Sequence, residues 1–425
     1  MNYQESLSWI HDQMKFGIKP GIGRMKWMLE RLGAPQNKIT GIHVAGTNGK
    51  GSTLSYMRSA LNANDYSVGT FTSPYIEIFN ERISLNGEPV SDEAIAELAT
   101  IVRPVTEEMN EKTDLGAATE FEVITTMMFV YFGELHPVDF VIVEAGLGAT
   151  HDSTNVFSPV MTILTSIGLD HTEILGDTLV DIAKDKAGVV KEDIPLVYNI
   201  ADDLSRSHVQ KVLAEKNAKS IELHKDIIIY HQGNEFAFKY GNYDFENIQL
   251  KMIGMHQREN AALAMAALVE LQERGAVSLD LNKMVDAVEE TEWTGRIETL
   301  QKSPLIIADG AHNNEAVDAL VSTMKDYYDD RKITVLFSAV KGKQIGPMTD
   351  KLNEIADEFY VTEFEFFKSL PLDDIYEAVS HPDKRIVKDY KTFISDYDGD
   401  LLLITGSLYF ISDVKQFFNK QQPDV

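Results

Sequence analysis

The sequence predicts an α/β fold in two domains: a larger N-terminal domain with a mainly parallel sheet plus a small antiparallel segment, and a smaller, Rossmann-like C-terminal domain. Through the first half of the chain, short β-rich runs alternate with helical patterns, which is typical of parallel α/β sheets. Residues 226–247 form short alternating runs separated by Gly and Asn, which indicates antiparallel hairpins. After Gly295-Arg296 strand–helix alternation begins afresh, so we expect domains at 1–296 and 297–425.

In the first domain we predict strands over residues 39–45, 67–71, 138–144 and 160–167, with a helix over 52–62. The third and fourth of these runs are nearly continuous in apolar residues, as expected of central strands buried on both faces. Each ends in a polar loop that contains glycine, and ligands bind at such loops in open α/β sheets. A helical block follows over 260–275, and the second domain has predicted strands over 305–308, 333–337, 358–362 and 401–405.

Composition excludes several functional classes. The 425 residues carry a formal net charge of -27, which repels the phosphate backbone of nucleic acids and anionic membrane surfaces. There is no cysteine, so disulfides, thiolate nucleophiles and cysteine-type zinc sites are excluded, and any metal must be held by oxygen or histidine. No apolar run approaches the roughly 20 residues of a membrane span, and the N-terminus lacks a signal pattern. We expect a cytoplasmic protein with no nucleic-acid or membrane partner.

A glycine-rich loop after the first predicted strand is typical of a phosphate site. Its glycines allow backbone N–H groups to approach a polyphosphate, Lys50 adds a compact positive charge, and Ser52 can bind Mg²⁺ at a helix start. The loop differs from the usual P-loop, because Val44 stands where the first glycine is expected and Gly51 separates Lys50 from Ser52. The residues predicted to contact the nucleotide here are Thr47, Asn48, Gly49, Lys50, Gly51, Ser52 and Thr53.

Two residues at the predicted carboxyl edge of the sheet are candidates for a metal site. Glu144 ends one central strand, and His171 follows the next in Gly168-Leu169-Asp170-His171. A carboxylate beside a nucleotide is an ordinary Mg²⁺ ligand, whereas histidine is an unusual one and is more often a hydrogen-bonding core group.

Two further segments have a functional and a structural interpretation. Lys186 lies on a predicted helix with two other lysines, which indicates either a solvated face or, next to Ala-Gly, a buried amine of depressed pKa that can be modified. Asp309 and His312 follow the first strand of the second domain, where they form either a nucleotide contact or an Asp-Gly turn with an incidental histidine.

Together these segments resemble the folylpolyglutamate synthases, the folate branch of the Mur ligase superfamily. The resemblance extends over almost the whole chain. It rests on Gly46-Thr47-Asn48-Gly49-Lys50-Gly51-Ser52, Thr72-Ser73-Pro74, Phe79-Asn80-Glu81-Arg82-Ile83, Gly168-Leu169-Asp170-His171, Lys186-Ala187-Gly188, Gly254-Met255-His256-Gln257-Arg258-Glu259-Asn260-Ala261, Gly295-Arg296-Ile297-Glu298, Asp309-Gly310-Ala311-His312-Asn313 and Thr405-Gly406-Ser407-Leu408-Tyr409.

The resemblance implies an N-terminal P-loop ATPase domain, a C-terminal glutamate-ligase domain, and a monomer that uses ATP, L-glutamate and a reduced folate. The implied reaction adds L-glutamate to the folate γ-carboxyl through an acyl phosphate. Two Mg²⁺ ions are implied, with Ser52, Ser73, Glu144, His171 and a carbamylated Lys186 around them. The implied catalytic residues are Lys50, Lys186 and His171. Asn260, Arg296, Asp309 and His312 are implied to bind ATP, and His312 and Ser407 are implied to contact glutamate.

Two departures from the family pattern concern the substrate range. Residues 146–155 lack an arginine that many relatives have after the metal-binding glutamate, and Gly342-Lys343-Gln344 replaces an Asp-Lys-Asp. These departures leave open whether the chain also has dihydrofolate synthase activity, and a bifunctional dihydrofolate synthase/folylpolyglutamate synthase is the alternative. A cell-wall Mur ligase is less favoured, because the phosphate loop begins about forty residues into the chain and leaves no room for an extra N-terminal domain. A non-catalytic nucleotide switch would explain only the first loop.

Overall fold

The computed structural model describes residues 1–17 and 19–421. These residues form two compact units. The first consists of Met1–Tyr75, Phe79–Leu250 and Arg258–Thr291, and the second of Ile76–Ile78, Lys251–Gln257 and the chain from Glu292 onwards. The predicted domain limits, 1–296 and 297–425, stay a prediction.

The first unit contains the larger sheet. The strands of the first unit are β1 (Gly41–Ala45), β2 (Val68–Phe71), β3 (Ile83–Leu85), β4 (Glu88–Pro89), β5 (Phe140–Glu144), β6 (Met161–Leu164), β7 (Leu196–Tyr198), β8 (Ser220–Glu222), β9 (Ile227–Gln232), β10 (Glu235–Tyr240) and β11 (Tyr243–Ile248). The helices in this part of the chain are α1 (Tyr3–Asp12), α2 (Gly23–Arg31), α3 (Lys50–Ala63), α4 (Asp92–Lys112), α5 (Glu120–Val130), α6 (Thr172–Leu175), α7 (Leu179–Lys186), α8 (Asp203–Glu215), α9 (Met255–Glu273) and α10 (Leu281–Glu289).

Eight strands form one mixed sheet in the order β4-β3-β2-β5-β1-β6-β7-β8. The six strands from β2 to β8 in this order are parallel, and β3 and β4 extend the sheet in antiparallel fashion. Every residue of β1, β5 and β6 is buried, which explains their continuous apolar sequence. The prediction of a mainly parallel sheet with buried central strands is confirmed. The carboxyl ends of β1, β2, β5 and β6 share one edge of the sheet.

A separate three-stranded antiparallel sheet, in the order β11-β10-β9, confirms the hairpins predicted over residues 226–247. The adjoining strands β9 and β10 pair without a register shift, and the pairing of β10 with β11 has one between Phe236 and Phe238.

The N-terminal helices cover the β2 and β5 part of the larger sheet and form a large apolar core with it. Helix α5 is buried on nearly all faces, as expected of a helix that is apolar all round. Its first turn has a capping box, in which Thr119 and Glu122 satisfy each other's backbone N–H groups. The Glu122 carboxylate also accepts from Arg24 Nε at 2.8 Å, and only 1% of the Glu122 side chain is exposed.

The second unit has its own six-stranded sheet, in the order β12-β13-β17-β14-β15-β16. Its strands are β12 (Glu298–Lys302), β13 (Leu305–Ala308), β14 (Ile333–Phe337), β15 (Glu358–Val361), β16 (Lys384–Ile386) and β17 (Leu401–Thr405). All neighbours are parallel except β12, which pairs antiparallel with β13. The helices are α11 (Asn314–Tyr327), α12 (Ile345–Leu352), α13 (Leu372–Ala378), α14 (Tyr390–Ser395) and α15 (Leu408–Gln421). The four predicted strands are present, and β12 and β16 were not predicted.

Within residues 1–17 and 19–421, no helix has both the length and the apolar character needed to span a bilayer.

Candidate active site

The glycine-rich loop joins β1 to α3 at the shared carboxyl edge of the sheet. Its backbone takes conformations that favour glycine, with φ of 147° at Gly46 and 88° at Gly49. A Cβ atom on Gly46 would lie 1.9 Å from Thr165 Oγ1, and one on Gly49 would lie 2.2 Å from Asn260 Oδ1. The loop therefore depends on these two glycines for both its conformation and its packing.

Residues that follow β6 hold this loop in place. Asn48 N–H donates to Ser166 Oγ at 2.9 Å, and Thr165 Oγ1 donates to the Asn48 carbonyl at 2.6 Å. Thr47 N–H donates to the Ser166 carbonyl at 3.0 Å. Sequence reasoning did not identify Thr165 or Ser166. The sequence feature that could have identified them is their position at the end of a predicted central strand.

Lys50 begins α3, and its ammonium group lies over the loop. Its Nζ donates to the carbonyls of Gly46 at 3.1 Å and Thr47 at 3.2 Å. The same Nζ is 3.9 Å from Glu144 Oε1, and both side chains are largely buried. A positive charge is thus held at the loop, beside a carboxylate at the end of β5.

Four of the five predicted metal residues lie at or after the carboxyl ends of β2, β5 and β6 and in the first turn of α3. Glu144 Oε2 accepts from the backbone N–H of Ser73 at 3.3 Å, and Ser73 follows β2 and precedes a cis peptide bond to Pro74. Ser52 is buried in α3. His171 follows β6 at the start of the short helix α6, and its side chain is partly exposed, 3.9 Å from Glu173 and 4.0 Å from Asp170.

Across residues 1–17 and 19–421, no three His, Cys, Asp or Glu side chains are grouped so that they could hold a metal ion. A metal at this edge would therefore need serine hydroxyls or a modified lysine in addition to Glu144 and His171. Oxygen ligands of this kind suit Mg²⁺.

Lys186 ends α7, and its amine is buried behind the loop. Only 4% of the residue is exposed, and Nζ donates to the Gly46 carbonyl at 2.8 Å. Burial and, after it, the charge of Lys50 together lower the pKa of Lys186 to about 7, against the opposing effect of Asp185, Asp170 and Asp152. A substantial fraction of the Lys186 side chain is therefore an uncharged amine at neutral pH.

Two aspartates, of which Asp152 is buried, order the loop after Glu144. Asp152 Oδ2 accepts from the backbone N–H groups of Gly146 at 3.1 Å and Leu147 at 2.8 Å, and Asp185 Oδ2 accepts from Ala149 N–H at 2.8 Å. Burial raises the pKa of Asp152, while these hydrogen bonds oppose the rise. Sequence reasoning missed both aspartates, because their partners are backbone groups of a loop without regular structure.

Asn260 lies on α9, is buried, and has its amide oxygen next to Gly49. The structure thus brings Lys50, Ser73, Glu144, Lys186 and Asn260 to the glycine-rich loop or its immediate neighbours.

The remaining predicted residues belong to the second unit. Asp309 follows β13, and its carboxylate accepts from the backbone N–H groups of Ile297 at 2.9 Å and Ala311 at 2.8 Å. Burial raises the pKa of Asp309, and the charge of Arg296 opposes this. His312 Nδ1 is 2.8 Å from the Gly310 carbonyl, and Ser407 Oγ accepts from Tyr409 N–H at 3.2 Å at the start of α15.

Comparison with known proteins agrees with this architecture. Residues 44–268 match the Mur ligase middle domain, and residues 295–408 match the Mur ligase glutamate ligase domain. The chain belongs to the Mur ligase family. Within that family it is 42% identical over 424 residues to the dihydrofolate synthase/folylpolyglutamate synthase of Bacillus subtilis (strain 168). The alignment covers 97% of this chain and 98% of the relative.

A second Mur ligase relative, the folylpolyglutamate synthase (FPGS) of Lacticaseibacillus casei, is 30% identical over 426 residues, with 98% of each chain covered. A solved FPGS–AMPPCP complex superimposes with a TM-score of 0.85 at 29% identity, and covers 98% of this chain and 99% of that one. The resemblance to the folate branch, which the motifs indicated, is confirmed.

Proposed function

We propose that this protein is an ATP-dependent ligase that adds L-glutamate to the γ-carboxyl group of a reduced folate. The observation that carries the proposal is the glycine-rich loop with the Lys50 ammonium over it, beside Glu144 and Ser73 at one sheet edge. Relatives with folylpolyglutamate synthase in their names align over almost the whole chain, and one solved FPGS structure contains the ATP analogue AMPPCP.

In the first step, the folate γ-carboxylate attacks the γ-phosphorus of ATP. A carboxyl O–P bond forms, the bond to the β,γ-bridging oxygen breaks, and ADP leaves. Both reactants are anions, so the site must offset their repulsion and hold them in line. The backbone N–H group of Gly49 and the Lys50 ammonium are the groups of this chain suited to binding the transferred phosphate.

In the second step, the glutamate amine attacks the acyl carbon of the acyl phosphate. The tetrahedral intermediate collapses to the amide, and inorganic phosphate leaves with the electron pair of the C–O bond. The glutamate ammonium group must lose two of its three protons on the way, one before the attack and one as the amide forms. We assign glutamate contacts to His312 and Ser407, and ATP contacts to Arg296, Asp309 and Asn260 in addition to the loop residues.

The donor set at the sheet edge fits magnesium, since Ser52, Ser73 and Glu144 offer oxygen atoms. We place two Mg²⁺ ions with Ser52, Ser73, Glu144, His171 and a carbamylated Lys186. When bound, Mg²⁺ neutralises phosphate charge and polarises the phosphorus–oxygen bonds. The near-neutral pKa of Lys186 supports the carbamate, because only an uncharged amine reacts with CO₂. The modification would replace a buried cation with an anionic oxygen ligand.

A second activity, dihydrofolate synthase, is favoured by one observation. The Bacillus subtilis relative is named for both activities and is 42% identical to this chain. In that reaction the same two steps would join glutamate to dihydropteroate. We further propose that the protein acts as a cytoplasmic monomer.

A phosphate-release assay tests both activities. Purified protein is given ATP, Mg²⁺ and L-glutamate with either a tetrahydrofolate or dihydropteroate, and each reactant is omitted in turn. Release that needs both glutamate and tetrahydrofolate supports the ligase, and release with dihydropteroate adds the second activity. Release that is independent of glutamate and of both acceptors contradicts the proposal and favours a nucleotidase or switch.

A further inference from the structure

The first unit has a cavity of about 630 Å³, widely open to solvent, between the turn that follows α7 and helix α8. Three lysines contribute to its lining, namely Lys184, Lys191 and Lys216. The only acidic residue among the lining residues is Glu192. This excess of positive charge stands out in a chain whose formal net charge is -27.

Two of the three ammonium groups lack a carboxylate partner in the part of the chain that the structure describes. Lys184 Nζ pairs with Asp181 at 3.0 Å. Lys191 Nζ donates to the neutral amide oxygen of Asn155 at 2.5 Å and lies 3.5 Å from the Gly188 carbonyl. Lys216 forms no ion pair among residues 1–17 and 19–421. The cavity thus offers two positive charges that internal carboxylates do not neutralise.

These charges also repel one another. Burial lowers the pKa of Lys191, and the positive charges of Lys216 and of Lys26 on α2 lower it further. Lys26 likewise forms no ion pair within the described residues. Lys191 is partly buried, whereas Lys26 and Lys216 are exposed, so solvent screens part of the repulsion and a bound anion beside Lys191 would relieve the rest.

The rest of the lining indicates more than a simple inorganic anion. Ala187, Val190, Ile194 and Val212 contribute apolar surface, and Thr150 contributes a hydroxyl group. A volume of about 630 Å³ lies within the range of cavities that bind small organic molecules. A ligand that fills it well needs an apolar body to cover the aliphatic side chains and separate anionic groups to reach the lysines.

We propose that this cavity binds a small organic dianion with an apolar body, of the aromatic dicarboxylate class, through Lys191 and Lys216. The site is separate from the glycine-rich loop and from every residue to which a part in ligation is assigned. Its lining includes Ala187 and Gly188, which directly follow Lys186 in sequence. The proposal goes beyond the ligase function and does not depend on it.

Isothermal titration calorimetry with three probes tests the ligand class. Phthalate has two carboxylates on an aromatic ring, inorganic phosphate has charge without an apolar body, and benzamide has the ring without charge. We expect phthalate to bind most tightly, phosphate more weakly, and benzamide not measurably, with phthalate affinity falling as NaCl screens the lysines. Phosphate binding as tight as phthalate, or equal binding of benzamide, would overturn the assigned class.

Variants test the location. Lys191→Met/Lys216→Met keeps the aliphatic stems, removes both charges and should weaken phthalate binding about tenfold. Lys216→Met alone changes an exposed side chain and should weaken it about threefold even if the double variant folds poorly. The control is Lys211→Met, which lies on α8 but outside the cavity lining and should bind as the unaltered protein does. Unchanged phthalate affinity in Lys216→Met, or no phthalate binding to the unaltered protein, refutes the site. No ATP, folate or glutamate is present, so this failure leaves the ligase proposal untouched.

Discussion

Carbamylation of Lys186 can be tested by removing its amine. Carbamate formation requires a neutral amine that attacks CO₂ with loss of a proton. Lys186 meets this condition because its Nζ is buried behind the glycine-rich loop, 2.8 Å from the Gly46 carbonyl, and its pKa is lowered to about 7 by burial and by the charge of Lys50. The perturbation is Lys186→Ala, with Lys184→Ala as the matched control from the exposed side of the same helix.

The expected enrichment of the neutral Lys186 amine follows from the lowered pKa of this side chain. At about pH 8, a lysine with the ordinary pKa of about 10.4 is only about 0.4% neutral. With a pKa of about 7, Lys186 is about 90% neutral at the same pH, a gain of about 200-fold. The neutral fraction increases as pH rises through 7, so carbamate occupancy should increase from about pH 6 to about pH 8.

The assay is ¹³C NMR of protein equilibrated with ¹³C-labelled bicarbonate. The unaltered protein and Lys184→Ala should show one carbamate resonance that grows with pH, and Lys186→Ala should lack it. Ligase turnover of Lys186→Ala should fall about 100-fold, on the scale seen when a group that supports a metal site is lost. Added bicarbonate or a short carboxylic acid should restore part of the turnover by supplying the missing carboxylate.

Two results would refute this reasoning. One is the absence of a carbamate resonance from the unaltered protein at pH values above the Lys186 pKa. The other is a resonance that persists in Lys186→Ala, which would place the modification elsewhere. Loss of turnover without any carbamate signal would leave Lys186 important for a different reason and would not save the carbamate.

Three other substitutions test the site and the fold. Lys50→Ala should lower turnover by about 100-fold or more while circular dichroism and the melting temperature stay unchanged, and undiminished turnover would contradict the role of Lys50. Gly49→Ala places a Cβ atom 2.2 Å from Asn260 Oδ1 at a φ of 88°, so calorimetry should show weaker ATP binding and a loss of about 1–3 kcal/mol of stability. Native-like affinity would count against this loop geometry. Glu122→Ala leaves the Arg24 guanidinium largely buried without its partner, and urea unfolding should show a loss of about 3–5 kcal/mol; a change below 1 kcal/mol would show that the pair is dispensable.

Local sequence properties were enough to predict most of the strands and the glycine-rich loop. The apolar runs that became β5 and β6 are buried at every position, so their composition alone identifies them as central strands. The loop is equally local, since the glycines and Lys50 are consecutive or nearly so. The predicted ends of the strands were less accurate. The runs predicted over 138–144 and 160–167 are strands only over Phe140–Glu144 and Met161–Leu164.

Other features of the site depend on residues distant in sequence. Thr165 and Ser166 hold the loop only because β6 pairs in parallel with β1 and brings its carboxyl end alongside. The two short segments that belong to the second unit, Ile76–Ile78 and Lys251–Gln257, have no compositional mark that separates them from their neighbours. Such associations arise from packing, which periodicity and turn signals do not encode.

Lys186 illustrates the difference between what the sequence determines and what only the folded structure decides. Its sequence context already allowed two interpretations, a solvated face or a buried amine, and motif resemblance favoured the second. Only the folded chain distinguishes them, by removing the amine from water and placing Lys50 close by. Family and fold class were readable from the order of residues because motifs and apolar runs are local. The charge state of the lysine was not, because desolvation and Coulomb interactions depend on distances that exist only after folding.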